Sequence, residues 1–337
     1  MNSFGRLFRV HIFGESHGAG VGVLLDGVPA GMPLSEPDFL FDLERRKAGA
    51  KGTTPRKEDD LPVFRTGIFN GRATGAPLMI WFDNANTRSG DYEKQRAVPR
   101  PGHADFVANR KFHGFEDYRG GGHFSGRLTV GLVAAGVVAK KILGDGGAGH
   151  PGISVRAELL EVGGEVDPEL GLQKAIDAKD TIGGLVECRV NGIPVGLGEP
   201  FFDSVESLLA HAAFSIPAVR GIEFGTGFAA ARMFGSQHND AILNPEGKTL
   251  TNHAGGVVGG ITNGNEMVFR IAVKPTSSTP KEQQTFNWET GEVEAFAVKG
   301  RHDLCIALRV PVVLEAVTAM VLADLVMVAR SLEGKPV

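Results

Sequence analysis

Two long apolar stretches, Ser125 to Leu143 and Pro311 to Leu332, constrain the fold of this chain most. Each reads as a helix that is apolar around most of its circumference, so neither can rest on a surface with one face in water. Both must be covered on several sides. The first carries Gly126, Gly131, Ala134, Ala135, Gly136 and Ala139, small residues that let a neighbouring element approach closely. The second opens on Pro311, a residue suited to a first helical position. It also carries Glu315 and Asp324, which argue for a buried core helix rather than a membrane span.

The elements that could cover those helices are visible nearby. Arg9 to Phe13, Gly18 to Asp26, Pro77 to Asp83 and Met267 to Lys274 read as strands, and Ser35 to Arg46 and Asp203 to Phe214 as amphipathic helices. A faint internal echo relates Asp26-Gly-Val-Pro-Ala-Gly-Met32 to Asn191-Gly-Ile-Pro-Val-Gly-Leu197. Each copy follows a strand and precedes a helical segment, and each half ends in one of the long apolar helices. The expectation is an α+β fold in one domain over residues 1–337: two similar halves, antiparallel sheets outside, helices between them. A chance likeness of two turns is the alternative to duplication.

Bulk properties exclude several classes. A net charge of −4 does not suit a general nucleic-acid or membrane-surface binder. Two cysteines, Cys188 and Cys305, without CxxC spacing give neither a disulfide framework nor a zinc site and suit a reducing, cytoplasmic compartment. Glycine, at 47 residues, is nearly twice its usual share, so much backbone must turn tightly or approach a ligand.

Polar side chains concentrate in glycine- and proline-punctuated turns. These are Gly14-Glu15-Ser16-His17-Gly18, Arg100-Pro-Gly-His103-Ala-Asp105, Arg119-Gly-Gly-Gly-His123-Phe124-Ser125-Gly-Arg127 and Gly300-Arg301-His302-Asp303. The third leads into a helix, a natural anion site. Lys274-Pro275-Thr276-Ser277-Ser278 ends a strand with an ammonium, three hydroxyls and free amides suited to phosphate oxygens. Arg45, Arg46, Lys47, Lys51, Arg56 and Lys57 form a local basic run on an acidic protein. Singly, each has an ordinary explanation as a cap, a turn or a solvated helix end. Together they are hard to attribute to packing. Gly14-x-Ser16-x-Gly18 also matches a serine-hydrolase elbow, but a strand rather than a helix follows it. Gly18-x-Gly20-x-x-Val23 lacks the third glycine of a dinucleotide fingerprint; His103-x-Asp105 and His302-Asp303 could ligate a metal, but no HExxH or EF-hand spacing supports it. A serine hydrolase acting through Ser16, and a nucleic-acid module using the basic run, remain the rivals.

In this order, these motifs resemble the chorismate synthase family. The resemblance extends from Phe4-Gly-Arg-Leu-Phe-Arg-Val10 through Asp26-Gly-Val-Pro-Ala-Gly31, Thr53-Thr-Pro-Arg-Lys57, Asp117-Tyr-Arg-Gly-Gly-Gly122, Gly196-Leu-Gly-Glu-Pro200 and Asn252-His-Ala-Gly-Gly256 to Gly300-Arg-His-Asp303. It implies a β-α-β sandwich, a homotetramer, and a reduced-FMN-dependent 1,4-elimination of phosphate from 5-enolpyruvylshikimate 3-phosphate to give chorismate. By the same resemblance His17 would protonate the departing phosphate, His103 would protonate or polarise the flavin, and Asp303 would help its N5 accept the hydrogen. Cofactor contacts would come from His123, Phe124, Ser125, Pro217, Ala218, Gly259, Lys274, Pro275, Thr276, Ser277, Ser278 and Arg301. Substrate contacts would come from Arg45, Arg46, Lys51 and Arg127. NADPH would act only through a separate flavin reductase. No metal, nucleic acid or membrane is implied.

The chain departs from the family pattern in places. His123-Phe124-Ser125-Gly126-Arg127 stands where Arg-Ser-Ser-Ala-Arg is common, and Lys51 where an arginine is usual. Lys51 exchanges a bidentate fork for a point charge. Leu304 replaces a proline, and the segment from Gly144 to Asp180 is short.

Overall fold

The computed structural model describes residues 2–54, 58–85, 96–144, 152–298 and 302–334. Its first half is an antiparallel sheet built from β1 (Ser3–Phe4), β2 (Arg9–Gly14), β3 (Gly20–Asp26), β4 (Val63–Thr66) and β7 (Leu78–Asp83), in the order β1-β2-β3-β7-β4. Helix α1 (Pro37–Arg46) follows β3, and a small hairpin, β5 (Ile68–Phe69) with β6 (Arg72–Ala73), lies between β4 and β7. Strand β7 shows why these residues pair: Leu78, Ile80 and Phe82 are buried, while Met79, Trp81 and Asp83 lie on the other face. The short helix α2 (Asp105–Lys111) then leads to α3 (Thr129–Gly144).

The second half places β8 (Ser154–Val162), β9 (Gly184–Asn191), β10 (Val219–Phe224) and β13 (Met267–Val273) in an antiparallel sheet of order β10-β13-β9-β8. Between them run α4 (Pro168–Ala178), α5 (Val205–Ala213), α6 (Gly235–His238) and a small pair, β11 (Val257–Val258) with β12 (Ile261–Thr262). A hairpin of β14 (Gln283–Asn287) and β15 (Glu292–Phe296) precedes α7 (Val310–Leu332). The two halves repeat one order: an antiparallel pair, an Asp-Gly or Asn-Gly turn, a helix, further strands and a long apolar helix.

Helices α3 and α7 pack against one another in the middle. Helix α3 meets β2, β3 and β7 on one side, and α7 meets β8 and β9 on the other. Their closest approach is at Gly136, where a Cβ would fall 2.4 Å from the Cα of Ala316. No larger residue fits there without separating the helices. The expected α+β sandwich, helices between antiparallel sheets, is the observed fold. Helix α7 is long and apolar enough to cross a membrane, yet most of it is buried in this core.

Several boundaries shift by a residue or more from the sequence expectation, and two shifts have a visible cause. The helix expected from Ser125 starts at Thr129; Gly126–Leu128 forms a tighter turn instead, capped by the Ser125 hydroxyl, which accepts from Arg127 N at 3.3 Å. The helix expected from Asp203 starts at Val205, because Ser204 caps it by accepting from Ser207 N at 3.1 Å.

Candidate functional site

Residues of the 100–105, 119–127 and 274–278 segments, with His302 and Asp303, line one cavity of about 950 Å³. Strand β2 ends in Gly14 and delivers the 15–18 turn to its edge. That turn is stitched to the glycine-rich turn after α2: Ser16 N donates to the Gly122 carbonyl at 3.1 Å, and His123 Nδ1 donates to the Gly14 carbonyl at 2.8 Å. The second bond fixes the His123 tautomer, because only a protonated Nδ1 can donate to a carbonyl. Ser16 is wholly buried, and the chain runs from Gly18 into β3. This is not the exposed strand-to-helix turn of a hydrolase nucleophile.

Gly120, Gly121 and Gly122 adopt φ of 60°, 80° and 54°, which favours residues without a Cβ. The space matters as much as the angle. A Cβ on Gly120 would lie 2.4 Å from His17 Cδ2, and one on Gly121 would lie 3.3 Å from His103 Cε1. The two histidines, far apart in sequence, therefore pack against successive glycines. His103 is in the cavity wall; His17 is buried directly behind Gly120, which is also in the wall.

His103 is held by its own turn. Its Nδ1 donates to Asp105 Oδ1 at 2.6 Å. Arg100 forks onto the same carboxylate, with Nε to Oδ2 and Nη2 to Oδ1 both at 2.7 Å. Burial opposes ionisation of Asp105, yet hydrogen bonds and charge from Arg100 and His103 hold its carboxyl well below the usual carboxylate range. An ionised Asp105 keeps the proton on Nδ1 and leaves Nε2 as the exchangeable ring position. The loop after β13 clamps this turn from the other side. Lys274 Nζ donates to Ser277 Oγ at 2.6 Å and to the Gly102 carbonyl at 3.1 Å, and Arg100 Nη1 donates to Ser278 Oγ at 3.1 Å. Burial, with Arg220 nearby, lowers the Lys274 ammonium from its ordinary value. Ala218, whose carbonyl accepts from Lys274 N at 2.9 Å, holds φ at 75°, a strained angle for a residue with a Cβ.

A cationic group forms the third wall. Arg46, the last residue of α1, and Arg127, from the turn before α3, both reach the buried carboxylate of Asp60. Arg309 donates to the Arg46 carbonyl at 2.8 Å and pairs with Asp303 at 3.3 Å. Asp303 also accepts from Thr54 N at 2.8 Å.

Of the sequence-derived site residues, Arg46, His103, His123, Phe124, Ser125, Arg127, Pro217, Ala218, Lys274, Thr276, Ser277, Ser278 and Asp303 line the cavity. Four others do not. Arg45 points away, into ion pairs with Glu315 at 2.7 Å and Asp42 at 3.1 Å. Lys51 pairs with Glu169 at 2.7 Å on the exterior. Gly259 is exposed in the turn between β11 and β12, and Pro275 is exposed while both of its neighbours face inward. Arg301, with Pro55 to Lys57, lies outside the described residues. Sequence reading missed Asp60 and Arg309, and left Asp105 as part of a motif without a role. Only the Arg-x-x-His-x-Asp spacing at 100–105 carried a signal for any of them.

Two wall atoms lack hydrogen-bond partners among the described residues, Arg46 Nε and Thr276 Oγ1, and both are buried. Buried donors of this kind call for an acceptor. A cavity lined by guanidinium, ammonium, imidazole and hydroxyl groups meets that need with anionic oxygens.

Comparison with known proteins finds relatives along nearly the whole chain. The chorismate synthase family model matches residues 8–327. The chorismate synthase of Chitinophaga pinensis is 73% identical over 330 residues, covering 98% of each chain. That of Dehalococcoides mccartyi is 44% identical over 354 aligned positions, covering 96% of each. A crystal structure of chorismate synthase superposes with a TM-score of 0.73 at 26% identity, over 97% of this chain and 93% of the other.

Proposed function

Because this chain belongs to the chorismate synthase family of lyases, we propose that its cavity eliminates phosphate from 5-enolpyruvylshikimate 3-phosphate to give chorismate, with reduced FMN bound beside the substrate. The observation that carries this reading is the packing of His17 and His103 on successive glycines, next to the arginines Arg46 and Arg127 joined through Asp60. A substrate with a phosphate and two carboxylates, and a cofactor with another phosphate, need such a donor set. The buried, unpartnered Arg46 Nε and Thr276 Oγ1 fit that demand.

Reduced FMN, when bound, supplies electron density to the carbon–oxygen bond that breaks. The chain's own groups do the rest. Arg46 and Arg127 hold anionic ends of the substrate, and Lys274 to Ser278 offer donors to the cofactor phosphate. His17 delivers a proton to the departing phosphate as charge develops on it. His103, kept in one tautomer by Asp105, exchanges a proton at Nε2. Asp303, held by Thr54 and Arg309, accepts one. The test is an anaerobic assay with reduced FMN, expected to release phosphate and chorismate in equal amounts. Absence of turnover under strictly reducing conditions overturns the reading. NADPH alone is expected to give no turnover, and to support it once a flavin reductase is added.

Self-association belongs to the same reading. Phe201, Phe202, Phe228 and Phe234 are each at least 75% exposed on the second half, more bare aromatic surface than a lone chain ordinarily shows. We propose a homotetramer. Light scattering should give four times the 35.7 kDa chain mass, and a single-chain mass would refute it.

A further inference from the structure

Among the described residues, Asp60 is the carboxylate that joins Arg46 and Arg127, two of the arginines in the cavity wall. It is 4% exposed, and its side-chain oxygens are divided between them. Oδ2 accepts from Arg46 Nη2 at 2.6 Å, and Oδ1 accepts from Arg127 Nη1. The arginines come from different elements, 14 and 67 residues away in sequence. Asp60 itself sits at φ 50°, a costly angle for a residue with a Cβ, which aims the carboxylate between them.

Arg46 and Arg127 share the Asp60 carboxylate directly in a buried place. Arg309 adds a like charge felt by Arg46, and Asp303 and Glu58 add carboxylates felt by Arg46 and Arg127 respectively. Burial lowers the proton affinity of both Arg46 and Arg127, so holding both as cations there is already unfavourable. Burial also works against the Asp60 anion, yet the two arginines keep its carboxyl below the ordinary range. The remaining bonds orient rather than neutralise. Arg127 Nε donates to Asn84 Oδ1 at 3.0 Å and its Nη2 to the Asp83 carbonyl at 3.1 Å, while Arg46 Nη1 donates to Thr129 Oγ1 at 3.2 Å. Arg46 Nε is left buried without an acceptor.

We infer that Asp60 is a positioning residue for the elimination: it locks Arg46 and Arg127 side by side as a preformed clamp for a phosphate or carboxylate of the substrate. The inference rests on the proposed function and adds a part to it. Its sign separates it from a bland charge-balancing role. Neutralising Asp60 makes the site more positive, so charge alone predicts equal or tighter anion binding. Loss of positioning predicts weaker binding despite the added charge.

The experiment is calorimetric titration of the full chain, with oxidised FMN present to prevent turnover, by 5-enolpyruvylshikimate 3-phosphate. Wild type and Asp60→Asn are compared, and steady-state kinetics are measured on both. Asp60→Asn should raise Kd and KM by about tenfold or more, the scale set by unpairing a buried charge, with kcat changed far less. Wild type that binds, with a variant that binds equally well or tighter, overturns the positioning role and leaves the function intact. Wild type that does not bind overturns both. Should Asp60→Asn fail to fold, the double variant Asp60→Asn/Arg127→Gln removes one cation with its counter-charge. Measured against Arg127→Gln alone, it should lose less than about threefold more affinity, because the two residues act as a unit. A full further tenfold loss overturns the inference.

Discussion

Two ionic clusters begin on the same helix at adjacent residues, one half-buried and one buried, and they differ in what they leave unpaired. Arg45 joins Asp42, Lys140 and Glu315: two cations, two carboxylates, and a further N–H from Ala157 donating to Glu315 at 3.0 Å. Burial raises the cost of ionising Glu315, but Arg45 and Lys140 hold its carboxyl below the usual range. Every charge there has its opposite, and the cluster ties α1, α3, α7 and β8 together. Arg46 joins Arg127 around Asp60, with Asp303 and Glu58 also acting on them and one buried donor, Arg46 Nε, left over. The first cluster has a partner for every charge. The second keeps a buried donor without an acceptor among the described residues, and it faces the cavity. Charge pairing alone therefore does not distinguish the two; the leftover donor and the cavity do.

Substituting the two neighbours is the sharpest way to break this contrast. Arg46→Ala should lower kcat/KM by about a thousandfold, the upper range for truncating a buried, hydrogen-bonded charge, while Arg45→Ala should change it less than about threefold. Similar losses in both would erase the distinction. Within the site, His17→Ala and His103→Ala should each lower kcat by about a hundredfold with the fold retained, as for groups that transfer protons. Circular dichroism would confirm folding, and unchanged rates would remove their roles. On the structural side, Glu315→Ala leaves half-buried Arg45 and Lys140 to share Asp42 alone and should cost about 2 kcal/mol in urea unfolding, with kcat unaltered in the folded enzyme. A kcat loss without destabilisation would contradict that assignment.

The smallest effect expected is on pH. Asp60, Asp105 and Glu315 all have carboxyl groups lowered by the fold. Their ionised forms contribute stability fully above the unfolded value near 4, and that contribution fades as pH falls below it toward the depressed folded values. The urea midpoint should fall between pH 5 and pH 3, and less steeply in Asp60→Asn. An equal slope in the variant would show that Asp60 contributes nothing to it.

Local patterns were legible where one face or one whole circumference is buried. The alternation of Leu78, Ile80 and Phe82 marks β7, and the unbroken apolar surface of α7 demanded a covering layer on each side. The start of α3 was missed because Ser125 caps a tighter turn, a choice that a run of small residues leaves open. Arg45 and Arg46 read alike as a basic pair. They differ by about 100° of helical rotation, which alone puts one toward Glu315 and the other toward Asp60. Asp60 stood in the acidic run Glu58-Asp59-Asp60 with nothing to mark it, because its partners belong to other elements.

The amino-acid order by itself determined the layers, the strands and helices that fill them, and the turns in which imidazole, guanidinium and hydroxyl groups collect. Those depend on periodicity and backbone freedom within a few residues. The tertiary structure alone decided which cation meets which carboxylate, that His17 and His103 lean on neighbouring glycines, and that Arg45 and Lys51 stay outside the cavity. Pairing of that kind is set by distances between elements far apart along the chain, and an ångström or a quarter-turn changes the partner.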